Sequence, residues 1–310
     1  MGHGKLRKFA ENETFACLLQ PSAEQVLSQG YANLSDHPVK DRWIEQMFGG
    51  HDGPIILELG CGKGEYTLEL ARRNPDKNYI GVDIKGARLW RGAKTATEEG
   101  LRNVAFLRTR IEFITAFFGP DEVSEIWLTF SDPQLRASEN KRLSSAMFLE
   151  RYRTFLKPGG RIHLKTDSRF LYEYTLAVAR VNGLQILASC TDLYMGPSRP
   201  SLISAENVEG TQEKMGTFPK NAPKQGRSQE KSGDLPQKEA KTRKVELPAE
   251  VREVHTFYET MFLEMGLPIT YLEFIADHDG PYINPRDPED FDSDHWRTLE
   301  GPRRTFSHSR

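Results

Sequence analysis

From residue 54 onward, two hydrophobic patterns alternate along the chain. Short runs rich in β-branched and aromatic residues, PIILELG, NYIGVDI, NVAFLRT, EIWLTFS and GRIHLKTD, are bounded by Gly, Pro or Asp and predict strands. Between them lie EYTLELARR, GARLWRGAKTATEEG, SAMFLERYRTFL and SRFLYEYTLAVARVNG, whose apolar positions recur at helical spacing. Strand-helix alternation of this kind predicts an α/β fold with a parallel sheet covered on both faces. In such sheets ligands bind at the C-terminal ends of the strands, near the point where strand order reverses.

The alternation breaks between about Gly196 and Pro248, where KNAPKQGRSQEKSGDLPQKEAKTRK is rich in Lys, Gln, Glu, Ser, Pro and Gly and free of aromatics. Such a composition buries too little apolar area to offset the entropy of ordering. It is expected to be a flexible insertion within one domain, because the strand-like PITYLEFIAD beyond it needs the sheet before it. The expected organisation is an N-terminal extension over 1–50, basic at its start (KLRK), followed by one domain over 51–310.

The 310 residues, 37% of them apolar, suffice for a sizeable core, and a net charge of −2 neither demands nor excludes a nucleic-acid partner. Cys17, Cys61 and Cys190 are too scattered for a disulfide framework or a zinc site. With no apolar run of membrane-spanning length and no signal-peptide pattern at the start, a cytoplasmic protein is expected, with no membrane partner and no metal.

The first strand runs into ILELGCGKGEYTLELA, in which Glu58, Gly60, Gly62 and Gly64 spell ExGxGxG. Glycines here allow a sharp strand-to-helix turn and close approach of a ligand to the backbone. Dinucleotide loops read GxGxxG and face a pyrophosphate. Here Glu65 stands where that pattern needs its last glycine, and its carboxylate would repel a diphosphate. No GK[ST] closes a phosphate loop either. A cationic ligand reverses the sign of the argument: the sulfonium and ammonium of S-adenosylmethionine are attracted by Glu58. Asp83, ending the second strand in YIGVDI, is placed to accept the hydroxyls of an adenosyl ribose. Loop and acid together indicate a methyltransferase using S-adenosylmethionine and releasing S-adenosylhomocysteine.

The acceptor is addressed by TFSDPQLRASENKRL, where Asp132-Pro133 leaves the fourth strand and Arg136, Lys141 and Arg142 follow. The [DNS]PP[YFW] signature of many base-N-methylating enzymes is absent. The ExGxGxG loop, the strand-end acid, the Asp-Pro loop with its KRL, and TFYE at Thr256–Glu259 occur together in one order. In this the chain resembles the bacterial tRNA (guanine-N7-)-methyltransferases, which modify guanine 46 in the tRNA variable loop. The resemblance runs from KLRKFAENETF to HTFYETMFLEMG and skips the lysine-rich stretch.

The resemblance implies a Rossmann-like class I methyltransferase with a seven-stranded, mostly parallel sheet whose last strand is antiparallel. It implies tRNA as partner and a monomer or homodimer. It implies cofactor contacts from Glu58, Gly60, Gly62, Gly64, Asp83 and Asp132, with Asp132 also at the catalytic junction. Arg136 would meet the tRNA, Asp167 the target nucleotide, and Thr256 and Glu259 would complete the pocket. Two features depart from the family pattern. The usual PDPWPK loop has become Ser131-Asp132-Pro133-Gln134-Leu135-Arg136, without its tryptophan. Arg110 replaces the usual acid or amide near the adenine, so any contact there is through its backbone. Two other readings stay open: a different methyl acceptor, and a non-catalytic RNA-binding relative. The KLRK start and the Arg136–Arg142 cluster are the candidate phosphate contacts.

Overall fold

The computed structural model describes residues 3–31, 33–194 and 247–300. In chain order its elements begin with α1 His3–Asn12, β1 Leu18–Leu19, α2 Ala23–Val26, α3 Trp43–Gln46, β2 Ile55–Leu59, α4 Glu65–Arg73, β3 Asn78–Asp83, α5 Gly86–Glu99 and β4 Val104–Arg108. They continue with β5 Val123–Thr129, α6 Ala146–Arg153, β6 Leu156–Thr166, α7 Arg169–Val181, β7 Ile186–Cys190, α8 Ala249–Glu253, α9 Phe257–Glu264, β8 Thr270–Ile275 and α10 Ser293–Glu300.

Strands β2 and β3 are buried at every position, the signature of a parallel sheet with both faces covered. The strand order is β1-β4-β3-β2-β5-β6-β8-β7. Pairings from β1 to β6 are parallel, and β8 runs antiparallel between β6 and β7. Order therefore reverses at β2/β5, and the C-terminal ends of β2, β3, β4, β5 and β6 share one rim.

The expected α/β architecture and the antiparallel last strand are both present. Among the described residues the sheet has eight strands rather than seven, because Leu18–Leu19 pairs in parallel with Phe106–Leu107 of β4. This two-residue strand is too short to register as a pattern. The N-terminal segment is packed onto the rest: α1 lies on α5, and the Asn12 amide donates to the Gly86 carbonyl at 3.0 Å. Fully buried Trp43 donates to the Phe117 carbonyl at 2.8 Å and stacks on Phe118. Burying a large apolar side chain of this kind stabilises by about 1.5–3 kcal/mol.

The insertion expected at 196–248 lies, up to residue 246, outside the described residues. No helix among the described residues is long and apolar enough to cross a membrane.

Candidate active site

The glycine loop is held from below by the next strand. Gly60 and Cys61 donate their N–H groups to the Val82 carbonyl at 2.8 and 3.1 Å. The Gly62 N–H donates to Asp83 Oδ2 at 3.0 Å, while Asp83 Oδ1 accepts from the Lys85 N–H at 2.7 Å. Asp83 thus ties the loop to its own strand end, and each of its oxygens keeps a second lone pair.

Gly60, Gly62 and Gly64 all have positive φ, between 61° and 81°, but they serve different purposes. A Cβ on Gly60 or Gly62 would meet nothing within 4 Å, so both face an open cradle. A Cβ on Gly64 would lie 2.5 Å from the Phe106 ring. Gly64→Ala is therefore expected to destabilise the fold by about 3 kcal/mol, from overpacking plus left-handed strain. Gly62→Ala carries only the strain, about 1 kcal/mol, and should instead weaken ligand binding. Urea denaturation beside calorimetric titration with S-adenosylmethionine separates the two, and equal stability loss in both variants would contradict this division.

Glu58 lies beneath the loop, 4% exposed. Its Oε2 accepts from the Thr67 N–H at 2.8 Å and from the Thr67 hydroxyl, and its Oε1 from the Thr129 hydroxyl. Burial pushes this carboxyl up to about 7 despite those donors, and the charge of Asp83 adds to the rise. A buried carboxyl poised near neutrality beside a second acid has a negative charge to offer a cation, and none to spare for a phosphate.

Beyond β5 the chain turns sharply. Phe130 and Gln134 have φ of 48° and 52°, uncommon for residues with a Cβ. Between them Asp132 is exposed, and its Oδ1 accepts from the Gln134 N–H at 2.9 Å, which locks the turn. Arg142 Nε donates to the Pro133 carbonyl at 3.3 Å from below.

A family model described as a putative methyltransferase matches residues 52–216, more than half of the chain. A tRNA (guanine-N(7)-)-methyltransferase of Christiangramia forsetii is 44% identical over 271 residues, spanning 87% of this chain and 96% of that protein. The chain belongs to the tRNA (guanine-N(7)-)-methyltransferase family. A protein of the same name from Bacteroides fragilis is 38% identical over 287 residues, covering 92% of this chain and 90% of the other. One from Bacteroides thetaiotaomicron is 50% identical over 196 residues, covering 63% and 74%.

In this member of the tRNA (guanine-N(7)-)-methyltransferase family, the residues singled out from the sequence have differing environments. Asp167 follows β6 and is half-buried. Arg136 is exposed, with no carboxylate within salt-bridge distance among the described residues. Arg110 is exposed and turns its guanidinium to Glu112 at 3.3 Å and toward the Phe113 ring, so only its backbone stands at the end of β4. Thr256 caps α9, its hydroxyl accepting from the Glu259 N–H at 3.1 Å.

One expectation is overturned. Arg142 is 4% exposed, with its guanidinium between the rings of Phe170 and Tyr174 at 4.8 and 4.4 Å. It positions the Asp-Pro turn and is not a surface phosphate contact, whereas Lys141 beside it is exposed.

The residues missed in the sequence lie around Glu259, which is wholly buried. Its Oε1 faces the equally buried Lys165 Nζ at 2.8 Å and accepts from the Tyr194 hydroxyl at 2.5 Å. Lys165 also donates to the Val254 carbonyl at 2.9 Å. Burial pulls the Lys165 ammonium below the usual lysine range, and the Glu259 charge opposes this only in part. Glu259 Oε2 is buried without a hydrogen-bond partner among the described residues. A lysine inside the strand-like run IHLKT was the available signal for a buried ion pair. Glu65 has a part as well: its Oε2 accepts from the Phe257 N–H at 2.7 Å, fastening the start of α9 to the glycine loop.

Proposed function

We propose that this protein transfers a methyl group from S-adenosylmethionine to N7 of a guanine in tRNA, guanine 46 of the variable loop, acting in the cytoplasm as a monomer or homodimer. One observation carries this reading: an open glycine cradle flanked by two buried acids shares a strand-end rim with an exposed aspartate turn and a buried, half-paired glutamate.

The residues present suit the donor. Gly60 and Gly62 leave room for it, Asp83 has lone pairs for ribose hydroxyls, and Glu58 supplies negative potential near the sulfonium. When bound, S-adenosylmethionine supplies a methyl group on a cationic sulfur.

Guanine N7 carries an in-plane lone pair and no proton, so the acceptor needs no general base. The work left to the chain is holding N7 in line with the methyl group and stabilising positive charge on the methylated ring. Asp132, held by its own turn, serves orientation and charge stabilisation. Thr256 and Glu259 complete the guanine pocket, with Asp167 and Arg136 as further contacts to the nucleotide and its backbone.

The deciding experiment is mass spectrometry of nucleosides from a tRNA transcript incubated with enzyme and S-adenosylmethionine. The expected product is 7-methylguanosine, absent when guanine 46 is replaced. A different methylated nucleoside, or donor binding with no methylated RNA, would refute the proposal.

Glu58 adds a pH dependence. Its folded value, about 7, lies above the ordinary 4.5. The free folded protein therefore holds a proton that the unfolded chain loses between about pH 4.5 and 7. Stability from this group is full below 4.5 and lost as pH rises through 7, by at most about 3 kcal/mol. A bound cation favours the carboxylate, so binding below pH 7 expels a proton. Donor affinity should rise about tenfold from pH 6 to 8, and Glu58→Gln should remove that rise. The difference between the two titration series cancels the donor's own ionisation, and parallel curves would show that Glu58 does not sense the ligand.

A further inference from the structure

A line of four aromatic rings runs along the rim from the Asp-Pro turn to the glycine loop. Phe130, in its strained backbone conformation, packs on Phe262 with ring centres 5.9 Å apart. Phe262 is followed by Tyr258 at 6.5 Å and 26°, and Tyr258 by Phe257 at 5.8 Å. Lys63 of the glycine loop closes the line with its ammonium 5.0 Å from the Phe257 ring centre. The outer rings are open to solvent, Phe257 being 60% and Tyr258 44% exposed.

These rings face outward while their helix is fixed from within. In α9, Glu259 points into the buried ion pair, Thr256 caps the first turn, and Glu65 holds the Phe257 N–H. Leaving two neighbouring rings on the surface of so firmly held a helix forgoes burial, and exposed apolar patches of this kind mark interaction sites. Their flat faces, the cation at one end and the adjoining donor cradle fit an unstacked nucleobase on a phosphate backbone. Two rings are far too little area for a stable dimer, which buries roughly 1,600 Å².

We propose that Phe257 and Tyr258 form a stacking platform for the nucleobases next to the target guanine. The Asp-Pro turn itself offers no aromatic face, since it carries Gln134 and Leu135. The platform rests on the reading that the substrate is a base in a tRNA loop. Stacking holds a base by its π-face, so it tolerates sequence and adds affinity rather than chemistry.

The test uses the full chain and tRNA transcripts carrying 2-aminopurine beside the target guanine. Wild type should quench the probe on binding. Phe257→Leu and Tyr258→Leu keep apolar bulk but lose the π-face; each should abolish part of the quench and raise KM for tRNA about tenfold. Turnover at saturation and S-adenosylmethionine affinity should stay at wild-type values, and Phe257→Tyr should restore KM. Unchanged KM and quench in the leucine variants overturns the platform. So does a leucine variant that turns a dimer into a monomer in sedimentation velocity, which would assign the rings to a second copy. If wild type quenches the probe but forms no 7-methylguanosine, the proposed reaction fails and the platform stands.

Discussion

Asp132→Ala is expected to slow formation of 7-methylguanosine about a hundredfold at saturating substrates, the usual scale for losing one preorganised electrostatic group. Affinity for S-adenosylmethionine should change little, because the glycine cradle is built by Val82, Asp83 and backbone groups that Asp132 does not touch. Alanine also deletes the acceptor for the Gln134 N–H, and so loosens a turn whose Phe130 and Gln134 are already strained. Asp132→Asn separates the two effects. Its amide oxygen still accepts from Gln134, so the turn survives while the charge is gone. If charge stabilisation matters, asparagine should be nearly as slow as alanine. If the turn alone matters, asparagine should be close to wild type. Near-normal single-turnover rates in both variants would remove Asp132 from the mechanism.

Lys165→Met is expected to cost about 4 kcal/mol of folding stability in urea denaturation, the range found when one partner of a buried ion pair is removed. The reason lies in Glu259: without the ammonium, among the described residues a carboxylate with no exposed surface keeps only the Tyr194 hydroxyl on Oε1, with no partner for Oε2. Replacing both partners should behave differently. The Lys165→Met, Glu259→Leu pair removes both charges from the interior and should recover most of the stability. It should not recover methyl transfer if Glu259 serves the guanine pocket. A double variant that folds well and methylates tRNA at the wild-type rate would reduce the pair to scaffolding. One no more stable than Lys165→Met would show that the loss does not come from stranding Glu259.

The alternation of β-rich runs with helical patterns determined the α/β class, because strands covered on both faces must be apolar at nearly every position and read so in IILEL and YIGVD. The spacing ExGxGxG and the acid at Asp83 were legible for a similar reason. A sharp turn that a ligand must approach tolerates few side chains, and the chemistry of those it keeps is local. The Asp132 turn could likewise be found from a proline at a strand exit.

Tertiary structure alone decided what depends on partners distant in sequence. Leu18–Leu19 and Ile186–Cys190 are strands because an existing edge offers them hydrogen bonds, not because of their own pattern. Arg142 and Lys141 are neighbours with the same charge, yet one is sealed between aromatic rings and the other meets solvent. Lys165 meets Glu259 only because β6 and α9 pack together. Phe257 and Tyr258, which composition would assign to a core, face outward because the first turn of α9 is pinned by Glu65 and Thr256. Local sequence sets which backbone shapes are allowed. Which side chains end up buried, paired or exposed follows from how the elements pack.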